Sequence, residues 1–178
     1  MQSENYRSRA VCFTGHRPEK FPFDTKNELY LKMFKSLIYM HALDAVRDGC
    51  DTFYCGMQRG MDIWAGQQIL NLKRIYPSVK LICVSPFERE ISSRRGKDYD
   101  DYVMLRDNCD EFVTLGTHYR DGCFFERNRY MVDRSGYIIG AIADPKSGTA
   151  QTLAYAERQG LKVHRIDLKR FAEDYNLH

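Results

Sequence analysis

Six short apolar runs alternate with longer stretches of helical periodicity along the chain. The runs are Ala10–Thr14, Asp51–Cys55, Val79–Val84, Glu111–Leu115, Gly136–Ile142 and Lys162–Ile166. Each has the length of a strand and too few residues for a stable helix. Between the first two, Leu31, Phe34, Leu37, Ile38 and Val46 recur at helical spacing. Thr25 and Glu28 stand three apart, the spacing of a capping box. That helix is expected to run to about Arg47, with Gly49 ending it in a left-handed conformation. A second helix puts Ala65, Ile69, Leu72 and Tyr76 on one face and stops at Pro77. Further helices are expected over Tyr99–Cys109, from about Glu126, and from Ser147 to Gly160, with a short one after Asp167.

Strand and helix in strict alternation predict an α/β fold. It is a Rossmann-like, doubly wound, mostly parallel six-stranded sheet with helices on both faces. The 178 residues suit a single domain, with 1–9 as a loose N-terminal tail and 167–178 as a C-terminal tail. If the strand order is 3-2-1-4-5-6, the chain reverses direction between strands one and four. Ligands in such sheets bind beyond the carboxyl ends of the strands at that reversal.

The loops on that edge carry the candidate chemistry. Gly15 follows the first strand directly and leads into His16 and Arg17. Gly56 closes the second strand and leads to Arg59, Gly60 and Asp62; Gly116 follows the fourth. The stretch Phe124–Leu153 reads as helix, strand, turn and helix, with Arg127, Asn128 and Arg129 in its first helix. Ser147, Gly148 and Thr149 open its second helix. A small-residue turn entering a helix leaves backbone N–H groups pointing outward, where they attract an anion. The stretch reads as one half of a site for a phosphate-bearing ligand, with a structural αβα unit and an ordinary capped helix as the alternative.

Composition narrows the rest. A net charge of +3 is small and gives no strong prior for nucleic acid or an anionic membrane, while leaving room for a local basic patch. The N-terminal MQSENYRSR has no apolar signal segment, and no run is long enough to span a bilayer, so a cytoplasmic protein without a membrane partner is expected. The six cysteines form no C-x-x-C pair and no zinc spacing, so no metal is expected. The first turn, GHRPEKF, lacks G-x-G-x-x-G, and neither a Walker A pattern nor a G-x-S-x-G elbow occurs.

Taken together, GHRPEK at 15–20, GMQRGMDIWA at 56–65, FFERNRYMVD at 124–133 and SGTAQTLAYAERQG at 147–160 resemble the YpsA-like branch of the SLOG superfamily. That superfamily joins the DNA-processing protein DprA (Smf) with the LOG-type nucleotide hydrolases. The likeness runs from Val11 to Ile166. It implies a Rossmann-like fold that binds a nucleotide or a nucleotide-derived molecule of the ADP-ribose kind, with no further cofactor required. It leaves room for a homo-oligomer.

The two relatives imply different partners. Arg59, Gly60 and Asp62 resemble the A-R-G-x-D turn of DprA, Arg127 to Arg129 its R-N-R element, and Ser147 with Gly148 its S-G turn. That likeness implies single-stranded nucleic acid as an alternative partner. Glu126 and Arg127 resemble the E-R-K element of LOG enzymes, which release a base from a nucleoside monophosphate, and would be the catalytic pair of such a hydrolase. Gln151 and Thr152 stand where that family's second motif carries a carboxylate, and a neutral side chain cannot take a proton. Glu126 would have to point inward to replace it.

Overall fold

A computed structural model describes residues 6–178. Six strands form one wholly parallel sheet: β1 (Ala10–Gly15), β2 (Thr52–Cys55), β3 (Lys80–Ser85), β4 (Glu111–Thr114), β5 (Tyr137–Ile142) and β6 (Lys162–Asp167). The helices are α1 (Glu28–Arg47), α2 (Met61–Lys73), α3 (Lys97–Asn108), α4 (Cys123–Asp133), α5 (Gly148–Arg158) and α6 (Leu168–Asp174).

Alternation along the strands builds two cores. Val11 and Phe13 of β1 join Ile139 and Ala141 of β5 on one face, against Phe34 and Ile38 of α1, Met61 and Leu72 of α2, and Phe171 of α6. Cys12 and Ile138 point the other way, onto Met131 of α4 and Leu153 and Ala156 of α5. A strand apolar at nearly every position is one buried on both faces, and β1 and β5 both lie inside the sheet, flanked on each side by another strand.

The order is β4-β3-β2-β1-β5-β6, which corrects the expected 3-2-1-4-5-6. The fourth strand does not lie beside the first; it closes the far edge beyond β3. The reason is legible in EFVT: it is four residues long, and Glu111 and Thr114 are exposed, as suits an edge. YIIGAI, buried throughout except at its last residue, takes the interior place beside β1, with β6 outside it. The reversal therefore falls between β1 and β5. The chain winds outward through β2, β3 and β4 with α1 to α3 on one face. It then returns across the sheet with α4 and lays α5 on the other face.

Three smaller expectations shift. Asn27, not Thr25, caps α1: its Oδ1 accepts from the N–H of Leu29 at 3.0 Å and of Tyr30 at 3.2 Å. Of the tail 1–9, residues 1–5 lie outside the described residues. Residues 6–8 are helical, and Arg7 donates to the carbonyls of Ser135 and Gln159, each at 2.9 Å. Nor is 167–178 a tail, since Leu168, Phe171, Ala172 and Leu177 are buried in the larger core. Gly49 does adopt the left-handed end of α1, at φ 97°.

Candidate phosphate-binding cleft

Beyond the carboxyl ends of β1 and β5 lies a cavity of about 460 Å³. Gly15, His16 and Arg17 enter it from β1, Ser147, Gly148 and Thr149 from α5, and Asp62, Arg127 and Asn128 from α2 and α4. Nine of the residues singled out in the sequence thus line one space. Close packing forms the wall: a Cβ on Gly15 would lie 2.4 Å from Met61 Cβ, so only glycine lets α2 start there.

His16 is the latch of the cleft. It is buried, and its Nε2 accepts from the N–H of Ala143 at 2.8 Å and of Asp144 at 3.3 Å. A ring nitrogen that accepts carries no proton, so the proton sits on Nδ1, which faces Thr149 Oγ1 at 3.4 Å. Burial pushes the His16 pKa down, Asp144 opposes it, and Lys20 lowers it further. The imidazole is held neutral and joins β1 to the β5–α5 turn.

The turn itself is self-capped. Ser147 Oγ donates to the Asp144 carbonyl at 2.7 Å and accepts from the N–H of Ala150 at 3.2 Å. Asp144 Oδ1 accepts from the N–H of Lys146 at 2.8 Å. Gly148 and Thr149 occupy the first two helical positions, whose N–H groups have no acceptor within the helix. A Cβ built on Gly148 meets nothing within 4 Å, so the approach to these groups is open.

Arg127 and Asp62 form a buried pair in the opposite wall. Arg127 Nη1 lies 3.7 Å from Asp62 Oδ2 and also donates to the Gly56 carbonyl. Its Nε donates to Asn128 Oδ1 at 2.9 Å, and Asn128 Nδ2 donates to Thr152 Oγ1 at 3.0 Å. Burial pushes the Asp62 carboxyl up, with Arg127 and the Gln58 N–H pulling it back. Arg127 is thereby a brace tying α4 to the β2–α2 loop. Gly56 lies behind it, and a Cβ there would sit 2.6 Å from the guanidinium. Gly60, at φ 88°, packs against the His16 carbonyl.

The remaining candidates fall outside. Arg59 lies in an adjoining hollow, bound to Glu19 at 3.0 Å and Asp98 at 3.3 Å. Arg129 rests over the Tyr155 ring, 5.1 Å from its centre, away from the cleft. Gly116 follows β4 at the sheet edge and packs on the Pro86 carbonyl. Glu126 is exposed and paired with Arg120, so it does not point inward. Conversely, Lys20, Gln58 and Phe124 line the cavity without having been singled out. Lys20 and Gln58 stand inside GHRPEK and GMQRG, so their place beside the glycine turns was the signal that could have found them.

Arg17 and Lys20 differ from Arg127, the other cation that lines the cavity. Neither side chain makes a hydrogen bond or ion pair among the described residues, and Arg17 is exposed at the mouth of the cavity. Among the described residues, no three His, Cys, Asp or Glu side chains gather closely enough to hold a metal ion. No helix among them is long and apolar enough to cross a membrane.

Comparison with known proteins places this geometry. Among solved structures, DNA processing protein A (DprA) from Streptococcus pneumoniae superposes with a TM-score of 0.60 at 17% identity, covering 90% of this chain and 50% of that one. The corresponding protein from Helicobacter pylori gives 0.59 at 17% identity, covering 99% of this chain and 76% of that one; its structure concerns how it binds single-stranded DNA. These likenesses show a shared fold. A UPF0398 protein of Listeria monocytogenes serotype 4a is 23% identical over 178 residues, covering 94% of this chain and 98% of the relative. One of Bacillus pumilus is 21% identical over 140 residues, covering 78% and 75%. The model of the YpsA family, described as the YspA SLOG family, matches residues 11–171. The chain belongs to the YpsA family of the SLOG superfamily.

Proposed function

We propose that this protein binds a nucleotide or nucleotide-derived ligand, with a phosphate seated on the first turn of α5. The observation that carries the reading is the convergence of uncommitted donors: the N–H groups of Gly148 and Thr149 and the unpaired Arg17 face one cavity. An anion there meets the positive end of the helix dipole and one full charge. A volume of about 460 Å³ suits a small ligand rather than a polymer groove. Thr14, Gln58 and Asn128 offer hydrogen bonds to the sugar.

A thermal-shift series with nucleoside monophosphates, ADP-ribose and NAD tests this. A ligand at 100 times its dissociation constant should stabilise by about 2.7 kcal/mol. Gly148→Val should abolish the shift while leaving the unliganded melting point almost unchanged, because its side chain enters open space. No shift with any phosphorylated probe at millimolar concentration rejects the reading.

A second reading, single-stranded DNA, is favoured by the fold shared with DprA of Helicobacter pylori. Against it, Arg59 is already engaged by two carboxylates. Oligonucleotide affinity that falls steeply with salt would promote it. Glycosidic hydrolysis loses the carboxylate that the sequence nominated for it, since Glu126 faces solvent and Arg120.

A further inference from the structure

A second hollow of about 190 Å³ adjoins the cleft and shares Arg17, Gln58 and Phe124 with it. Its walls are of another character. The Phe87 ring meets Phe124 at 6.4 Å between centres and 73° between planes, and meets Tyr119 at 5.9 Å. Beyond the shared Arg17, its cations are matched by carboxylates: Arg59 by Glu19 and Asp98, and Arg94 by Glu90. Such a place has no excess charge for a second phosphate, and it has a ring wall for an uncharged planar group.

The floor also holds an incompletely bonded pair. Arg94 is 5% and Glu90 4% exposed. Arg94 Nη2 donates to the Met57 carbonyl at 2.6 Å and to Glu90 Oε1. Its Nε and Nη1, and Glu90 Oε2, have no partner. Buried polar atoms are seldom left so. The guanidinium lies over the Tyr102 ring, 4.7 Å from its centre, and is hydrogen-bonded only through Nη2. Donors and an acceptor are thus left over on one residue pair in the wall of the hollow, the chemistry that a heterocycle edge with both an acceptor and a donor would satisfy.

We infer that this hollow is the base subsite of the ligand whose phosphate sits on α5. Phe87 and Phe124 supply the ring contact, and Arg94 with Glu90 the polar edge. The inference rests on the phosphate reading above. Arg17, common to both spaces, lies where the phosphate end and the base end meet. Neither Phe87 nor Arg94 belongs to the motifs that first marked the cleft.

Titration calorimetry on the full chain separates the two propositions. The probes are the four ribonucleoside monophosphates and ribose 5-phosphate, which keeps sugar and phosphate but lacks the base. At least one nucleotide should bind tenfold or more tighter than ribose 5-phosphate, the scale of base–aromatic stacking. Phe87→Ala should erase that ratio while leaving ribose 5-phosphate binding unchanged, and Phe87→Tyr should keep it. Phe87 is only partly buried, so the smaller side chain should not unfold the protein. Equal affinity for nucleotides and ribose 5-phosphate overturns the base subsite and leaves the phosphate site standing. So does a Phe87→Ala loss shared equally by all probes. If no probe binds the unaltered protein, the phosphate reading fails and this inference fails with it.

Discussion

The two ends of the sheet each carry a cleft, and the larger is not the better candidate. At the amino end of the strands a space of about 780 Å³ opens among Arg9, Asp51, Tyr54, Lys80 and Arg134, against about 460 Å³ at the carboxyl end. The difference lies in what the side chains already do. At the amino end Arg9 is bound to Asp51, Arg7 to two carbonyls, and Arg134 to the Tyr130 carbonyl at 3.2 Å while lying over that ring. Of the cations lining this space, Lys80 alone has no hydrogen bond or ion pair among the described residues, and none of α1 to α6 begins there. At the carboxyl end Arg17 and the first N–H groups of α5 remain available. Chain direction accounts for part of this. In a parallel sheet every helix starts near the carboxyl edge and ends near the amino edge. Positive helix ends gather at one edge and negative ends at the other. An anion has a preferred end before any side chain is counted.

The contrast sharpens when Arg127 and Arg17 are compared within the same cleft. Arg127 is buried and engaged by Asp62, Gly56 and Asn128, whereas Arg17 is exposed and unengaged. Arg127→Met leaves Asp62 as an uncompensated buried carboxylate and should cost about 3–5 kcal/mol of stability by urea denaturation. A loss under about 1 kcal/mol would mean that the pair is not the brace described. Arg17→Ala should do the reverse. Phosphate-dependent ligand binding should weaken about 10- to 100-fold, the scale of hydrogen bonds to a charged group. Stability should move by no more than about 0.5 kcal/mol. Unchanged affinity in Arg17→Ala would remove the free cation from the argument.

That division of labour was only half legible in the amino acids. The strands were plain because each central one is a short apolar run between turn residues, and the helices were plain from their spacing. Strand order was not, since pairing is non-local, although the shortness and polarity of EFVT marked it for an edge. Within the cleft the glycine turns were visible from their place after strands. The arginines were harder. Arg127 and Arg129 lie about 200° apart around a helix and so cannot share a cavity, which spacing alone could have told. Arg59 looked free because its partners Glu19 and Asp98 come from segments about 40 residues away on either side. Phe87 lies in a charged connection whose aromatic residue carried no pattern.

A smaller effect should follow from acid at the carboxyl end. His16 is held neutral in the fold, with its pKa below the usual 6.5. The unfolded chain therefore takes up its proton first as pH falls. The stabilisation is complete above about pH 6.5 and is lost as pH drops through that value toward the folded pKa. Protonation also removes the Nε2 acceptor that the N–H groups of Ala143 and Asp144 use. Denaturation midpoints measured from pH 7.5 to 5 should fall in the unaltered protein and fall less in His16→Gln. Parallel curves would place the titration elsewhere, with His41, whose pKa burial and His164 also lower, the first alternative.

The smallest expected change is the one that tests the comparison most directly. Arg9 and Asp51 form an ion pair at the amino end, with side chains 55% and 30% exposed. Exposed pairs of this kind contribute about 0–1 kcal/mol, because water screens the attraction and two side chains lose freedom. Arg9→Ala should therefore shift stability by at most about 1 kcal/mol and leave nucleotide affinity unchanged. The Arg9 carbonyl, which accepts from the N–H groups of Asp51 and Thr52, survives the substitution, so the start of β2 stays in register. If Arg9→Ala instead weakened binding as much as Arg17→Ala, the larger cleft would be the ligand site. Available donors would then have been the wrong criterion for choosing between the two ends of the sheet.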